Sequence, residues 1–595
     1  PGFEITFNNE LVIPFSKLGI RIEDEDFAQN LKITSVSENQ LIEDEYRLHS
    51  GKKMNCRYFA NKKSINFSNN SGNILQVTFQ VSNDGVAFKY LLNGINLDPE
   101  SLDKVRESTS VRLANITGSW LTPRAEPQSG WERTQPSYEE HYFNILDENV
   151  SSEFGWTFPT LFQLGNNWIC ISESGLKKFN YGSHLKDVSK NNNEFLFQPP
   201  DDIEFGLKEL SISTSIQNWE SPWRVIIIGD NPGAIVESNL IADVADPQIK
   251  GDFSYVVPGI SAWSWALLKD EGTIYDVQED FIDHAASMGW QYCLVDCYWD
   301  TQIGREKIKL LADYAKSRNV GLLLWYSSSG DWNTAPLTPR DLMLTRESRL
   351  KEFKWLNELG VRGIKVDFFG GDGTSMTEYY LEILEDAAKF NLMVNFHGAT
   401  LPRGWYRTYP NLMTMEAVKG FEYVTFEQKN ADLQAQHSTI LPFTRNVAGA
   451  MDFTPLCFSE IPNITRKTSN AFELALSVVF ESGIQHFVET PYGMEMVPDY
   501  VRNFLREIPA SWDEIRFIDG FPGEYVILAR RSGQKWYMAG INGSNSAKEV
   551  EIELSDLFGV QKVIHLVTDG DTDRDFLLKT YDKDNNKSIN IKLNP

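Results

Sequence analysis

Cysteine is scarce in this chain. The five residues Cys56, Cys170, Cys293, Cys297 and Cys457 are odd in number, scattered, and in no CxxC or zinc-ribbon spacing. That pattern argues against a disulfide framework and a thiolate metal site. Cys293 and Cys297 flank Asp296 in an apolar segment, where they read as small buried hydrophobes. Positive charge is short too: 56 Lys and Arg against 82 Asp and Glu leave a net charge of -26. With no Lys/Arg-rich run, nucleic acid and anionic membrane surfaces are poor partners. No apolar run is long enough to span a bilayer. No Gly-rich dinucleotide fingerprint follows an early strand, which weighs against an open doubly wound sheet. An initiator Met is also missing, since the sequence starts at Pro1. This predicts a processed periplasmic or secreted protein, or a trimmed one.

What is present is ample core material. At 595 residues, 42% apolar and 12% aromatic, the chain predicts two to four folded domains. Three rhythms divide it. Over 1–245, strand follows strand between Asn/Asp/Gly turns, as in residues 74–81 and 85–90, with no convincing long helix. This predicts a large antiparallel sandwich, with residues 243–251 as a linker. Over 246–508, strands at 292–299, 320–326, 364–369 and 392–396 alternate with helical stretches at 308–317, 350–359 and 376–390. Alternation of this kind indicates a parallel (β/α)8 TIM barrel. Over 509–595, alternating strands at 525–530, 535–541 and 548–554 predict a small C-terminal antiparallel β-sandwich.

A barrel places its chemistry at the C-terminal ends of its strands. The segment Gly363-Ile364-Lys365-Val366-Asp367-Phe368 puts Lys365 and Asp367 on one strand face just before a glycine turn. This is either a catalytic pair or a core ion pair. Other strand ends supply Asp300, Trp325, Asp331, Trp332, Asn395 and His397, and the stretch beyond contributes Glu416 and Glu422. Two separated carboxylates on neighbouring strand ends are what glycoside hydrolysis needs, one to attack or activate water and one to protonate the leaving oxygen. Tryptophans can face sugar rings, or can simply be structural. His397 reads as a substrate hydrogen-bond donor or a satisfied core histidine; Trp325 and Asp300 are further substrate-binding candidates.

Residues 363–368, Asn395-Phe396-His397-Gly398, Arg407-Thr408-Tyr409-Pro410-Asn411 and Met415-Glu416-Ala417-Val418-Lys419-Gly420-Phe421-Glu422 together resemble glycoside hydrolase family 97 over the whole chain. The resemblance implies calcium-dependent α-glycosidases with an N-terminal β-super-sandwich, a catalytic barrel and a C-terminal β-domain. It places Asp367 at the nucleophile of retaining members and Glu422 at the general acid/base. Glu416, Glu422 and, through Ile171-Ser172-Glu173, Glu173 fall at calcium ligands; an exposed strand-end glutamate is the other reading of Glu173. Inverting members carry a base glutamate directly after the Asn-x-His histidine, where this chain has Gly398. They carry another after the third strand, where residues 322–333 hold none. Both departures favour retention. The missing glutamate is also a calcium ligand in inverting members, so water is expected in its place.

The implied function is a calcium-dependent, retaining exo-α-glycosidase acting on an oligosaccharide or glycoside, with α-galactosidase first. β-L-Arabinopyranosidase comes next, since that sugar has the galactoside configuration without the C6 hydroxymethyl group. An inverting α-glucosidase and a non-catalytic carbohydrate-binding protein are the remaining alternatives. A monomer or weak homo-oligomer is expected.

Overall fold

The computed structural model describes residues 1–595 apart from 24, 149, 190–192, 206–209, 211–214, 555–562 and 583–586. Its N-terminal part is antiparallel β-structure dominated by one 14-stranded sheet, with two- and three-stranded sheets beside it. Among the described residues before Gly259, no helix exceeds the six residues of Pro232–Glu237. The strands Asn167–Ser174 and Trp223–Gly229 are buried at every position, so both faces of the sheet are covered there. Asn55–Ser68 begins with strict alternation of exposed and buried positions, as a half-solvated strand should.

The central part is a barrel of seven parallel strands. Gly259–Trp263, Tyr292–Val295, Gly321–Ser327, Gly363–Asp367, Met393–Phe396 and Leu412–Met415 pair in sequence, and Ile484–Phe487 returns beside the first. The gap between the sixth strand and the last is spanned by one parallel bridge, Met415 to Met451. The Met451 amide donates to Glu481 O at 2.9 Å, and the Gly483 amide to Met413 O at 3.1 Å. The expected eight-fold barrel is therefore present with one position reduced to a bridge. Its helices include Arg305–Ser317, Arg346–Leu359 and Thr374–Ala388. Arg346–Leu359 starts where the Thr345 side chain accepts from the Ser348 amide and stops at left-handed Gly360.

The fourth strand ends at Asp367, two residues before the expected 369, because Phe368 turns left-handed (φ 73°). Asp367 is thus the last strand residue, at the barrel mouth. Among the described residues, the C-terminal part comprises a three-stranded antiparallel sheet, Glu514–Phe521, Tyr525–Ser532 and Lys535–Asn542, and two strand pairs. Phe521 packs edge-on against Trp120 and Trp168, with ring centroids 5.4 and 5.6 Å away, joining this part to the N-terminal sheets.

Candidate active site

A cavity of about 620 Å³ opens at the C-terminal ends of the barrel strands. Register puts Lys365 and Asp367 on one face of the fourth strand, and both line it. The Trp325 indole, from the neighbouring strand, donates to Asp367 Oδ2 at 3.1 Å. Lys365 Nζ lies 3.9 Å from the same oxygen and 3.2 Å from Asp296 Oδ2. Its ammonium also sits over the Trp263 ring, 4.5 Å from the centroid. Burial works against the charge of Lys365, but the carboxylates of Asp296, Glu422 and Asp367 outweigh it and hold the lysine protonated. Burial raises the Asp367 carboxyl above its usual range, with Lys365 and the Trp325 hydrogen bond opposing.

The second half of the site comes from the fifth and sixth strands. His397 follows Met393–Phe396, and its Nε2 lies 2.6 Å from Asp452 Oδ2. That oxygen also accepts from Asn395 Nδ2 at 2.7 Å and faces His486 Nδ1 at 2.9 Å. Burial pushes His397 down to about 4, so the imidazole is neutral at ordinary pH. Donating Nε2–H to Asp452 leaves a Nδ1 lone pair directed at Glu416 Oε2, 3.3 Å away. Glu416 also accepts from the Gly398 amide at 2.9 Å. Its carboxyl is held well above the usual range by burial, then by Glu139 and Glu422. Burial raises Glu422 too, with Lys365 opposing and Asp367 adding to the rise.

Gly398 is where the two halves meet. It is left-handed (φ 49°), and a Cβ there would lie 2.6 Å from Phe368 N and 2.8 Å from Asp367 Oδ1. The space a side chain would occupy at 398 is taken by Asp367 and the backbone after it.

Asp367, Glu422, Lys365, His397, Trp325 and Glu416 thus line one cavity. Glu173 and Asp300 do not. Glu173 is fully buried within a covered strand. Its carboxylate is engaged by Arg224 Nη1 at 2.5 Å, Arg403 Nε at 2.7 Å and the Ser183 amide at 2.9 Å. Two cations hold its two oxygens, so its place is an ion-pair network reaching Asp372 through Arg403, not the carboxylate cluster. Asp300 lies in a helical turn that begins after left-handed Tyr298, and it accepts from Thr338 Oγ1 at 2.7 Å outside the cavity lining.

Two acids stand where these were expected. Asp296, at the end of the second strand, accepts from the Trp263 indole at 2.7 Å and binds Lys365. The sequence shows it only as the acid between two cysteines in an apolar run, with no role attached. Glu139 reaches the mouth from the N-terminal part, where the Tyr423 hydroxyl at 2.6 Å and Ser137 Oγ at 2.8 Å donate to its Oε2. No sequence periodicity signals it.

One atom each from His397, Glu416 and Glu422 lie within 4.8 Å of one another. With Glu139 pressing on Glu416, this is a buried excess of negative charge. Carboxylate oxygens in that arrangement fit a hard divalent cation, which would relieve their repulsion.

A recessed carboxylate pair, a captive lysine and aromatic walls at the mouth of a parallel barrel are the equipment of a glycoside hydrolase. Residues 1–247 match the domain described as Glycosyl-hydrolase 97 N-terminal, 258–418 Glycoside hydrolase 97, and 511–595 Glycosyl-hydrolase 97 C-terminal, oligomerisation. The chain belongs to glycoside hydrolase family 97. It is 31% identical over 566 residues to the "Probable retaining alpha-galactosidase" of Streptomyces bingchenggensis, covering 93% of this chain and 81% of that protein. To the "Retaining alpha-galactosidase" of Bacteroides thetaiotaomicron it is 27% identical, over 81% and 75%. A crystal structure of a beta-arabinopyranosidase superposes with a TM-score of 0.92 at 35% identity, covering 100% of this chain and 95% of the other.

Proposed function

We propose that this glycosidase is a retaining, exo-acting α-galactosidase that works by double displacement through a glycosyl ester on Asp367. The carrying observation is the exchange of space at Gly398: the carboxylate of Asp367 occupies what a side chain there would fill. One Asp367 oxygen attacks the anomeric carbon as the bond to the leaving oxygen breaks, and Glu422 gives its proton to that oxygen. Glu422, now ionised, then takes a proton from water, whose oxygen attacks the same carbon and releases the Asp367 carboxylate. The rise of Glu422 through burial favours the protonated acid the first step needs. Lys365 and the Trp325 indole favour the ionised Asp367, and Lys365 can also donate to a sugar hydroxyl.

Calcium belongs to this proposal, held by Glu416, Glu422 and Glu139 with the His397 imidazole beside them. When bound, the ion would neutralise the cluster and polarise substrate hydroxyls. A β-L-arabinopyranosidase of the same mechanism is the second reading, favoured by the 35% identity to the beta-arabinopyranosidase structure.

Hydrolysis of p-nitrophenyl α-galactoside, β-L-arabinopyranoside and α-glucoside, with and without chelator, separates the sugars and tests the metal. NMR of the first-formed anomer tests the mechanism. Retention of configuration is expected, with loss of turnover in Asp367→Ala; inversion, or an active Asp367→Ala protein, would overturn the assignment.

A further inference from the structure

The cavity is two-toned. Lys365, Asp296, His397 and Glu416 are recessed, whereas two large aromatic side chains lining it are strongly exposed: Trp131 at 53% and Phe426 at 45%. Each is the outer end of a chain of touching rings. Trp131 packs on Phe368 at 5.5 Å, and Phe368 on Trp325 at 5.9 Å, whose indole holds Asp367. Phe426 packs on Trp265 at 6.1 Å, and Trp265 on Trp263 at 6.1 Å, whose indole holds Asp296. The inner members, Trp325 and Trp263, are almost wholly buried. Both chains therefore run from a carboxylate in the floor to an aromatic face at the mouth, and Leu337 and Pro336 add apolar surface between.

Trp131 is placed deliberately. It comes from the N-terminal part, on a turn whose next residues, Glu132 and Arg133, are both left-handed (φ 47° and 64°). That turn is tied to the barrel loop after the third strand: the Thr334 amide donates to Glu132 O at 3.1 Å, and Thr334 Oγ1 to Glu132 Oε2 at 3.0 Å. Strained backbone held by another element is a recurring feature of ligand clamps. An exposed indole fixed in this way over a recessed acid pair has no packing role to explain its exposure.

We propose that Trp131 and Phe426 form the leaving-group site, and that it takes a flat, apolar aglycone in preference to a second, hydroxyl-rich sugar. This rests on the hydrolytic reading above, which puts the cleaved sugar against Asp367 and Glu422 and so leaves the mouth to the departing group. A ring stacked there desolvates apolar surface on both partners, whereas a hexose gains only if its hydroxyls also match the few fixed polar side chains beside these rings, Thr134, Gln135, Asp270 and Tyr298.

The test compares three substrates sharing one sugar: the 2-phenylethyl glycoside, the methyl glycoside and a disaccharide with glucose as leaving group. The first two release alcohols of similar acidity, so their difference reports binding rather than leaving-group chemistry. The wild type should favour the phenylethyl over the methyl glycoside in kcat/KM by about tenfold, and over the disaccharide as well. Trp131→Ala should erase most of that preference by lowering kcat/KM on the phenylethyl glycoside several-fold more than on the methyl glycoside, and Trp131→Phe should keep most of it. Phe426→Ala should act in the same direction. Equal losses on all three substrates, or a disaccharide preference that Trp131→Ala removes, would overturn the proposal. Failure of the underlying reading looks different: the wild type would invert configuration or reject both galactoside and arabinopyranoside, whatever the leaving group. The preference ratio is then read on whichever sugar is cleaved.

Discussion

Replacing Gly398 by alanine tests the reasoning about the nucleophile directly. The added Cβ would stand 2.8 Å from Asp367 Oδ1 and 2.6 Å from Phe368 N. Non-bonded carbon contacts settle near 3.5 Å, so the carboxylate must retreat by about 0.7 Å, or the turn after it must open by about 0.9 Å. Either displacement moves the attacking oxygen, and misplacement on the scale of 1 Å costs on the order of 10²-fold in rate. The left-handed conformation at 398 adds about 1–2 kcal/mol of strain for alanine, and the crowding about 1–3 kcal/mol. Gly398→Ala should therefore lose roughly 10²-fold in kcat/KM on an activated glycoside, with a lower but cooperative thermal transition. Steady-state kinetics well below the unfolding temperature, with circular dichroism melting alongside, separate the two effects. A variant within threefold of wild type in kcat/KM would refute the claim that Asp367 needs this space. Gly398→Glu should fail more completely and should not produce an inverting enzyme, because its side chain starts inside the nucleophile.

Three further predictions concern buried acids. Glu139→Gln should weaken calcium affinity at least tenfold, read as a smaller calcium-dependent rise in melting temperature; an unchanged rise would remove Glu139 from the ion's surroundings. Glu173→Gln leaves Arg224 and Arg403 short of a buried counter-charge and should destabilise the fold by about 3–5 kcal/mol in denaturant unfolding. Its calcium response should be intact, and a lost response would restore Glu173 as a ligand. Asp243, buried and accepting from the Tyr46 hydroxyl at 2.6 Å, is pushed up to about 7, chiefly by burial. Because the folded value is raised, its contribution is fully present below pH 4 and is lost as pH rises toward 7, by about 4 kcal/mol at most. Asp243→Asn should flatten that part of the stability–pH curve, and an unchanged slope would exclude Asp243 as its source.

The parts of this molecule that were legible in the sequence are those whose signal is local. The apolar runs around Tyr292, Ile364 and Met393 announced parallel strands because each strand is covered on both sides. Asp367 was visible because a charged residue on such a run needs a reason. The barrel position at Met451 was not visible, since a single bridge inside a loop requires no apolar run. Glu173 was placed at the ion only through the resemblance of the short segment Ile171-Ser172-Glu173; Asn167–Ser174 is buried throughout, and without alternation nothing in the pattern says which partner a strand residue meets. Asp296 was hidden by its cysteine neighbours, and Glu139 by distance, since a loop far upstream carries it to the mouth. Asp300 was one helical turn too late, a displacement set by the left-handed Tyr298.

The crossing of Glu139 and Trp131 from the N-terminal part into the barrel mouth has a consequence for inheritance. A gene segment encoding the barrel alone would carry Asp367, Glu422 and Lys365, yet lack Trp131 from one wall of the cavity and Glu139 beside Glu416. Chimaeras between relatives should therefore keep activity when the 130–139 stretch travels with its own barrel, and lose it when the two come from different parents. During synthesis the same arrangement means that the first part to fold carries an unfinished half-site, completed only when the chain has been translated past Phe487, the end of the closing barrel strand.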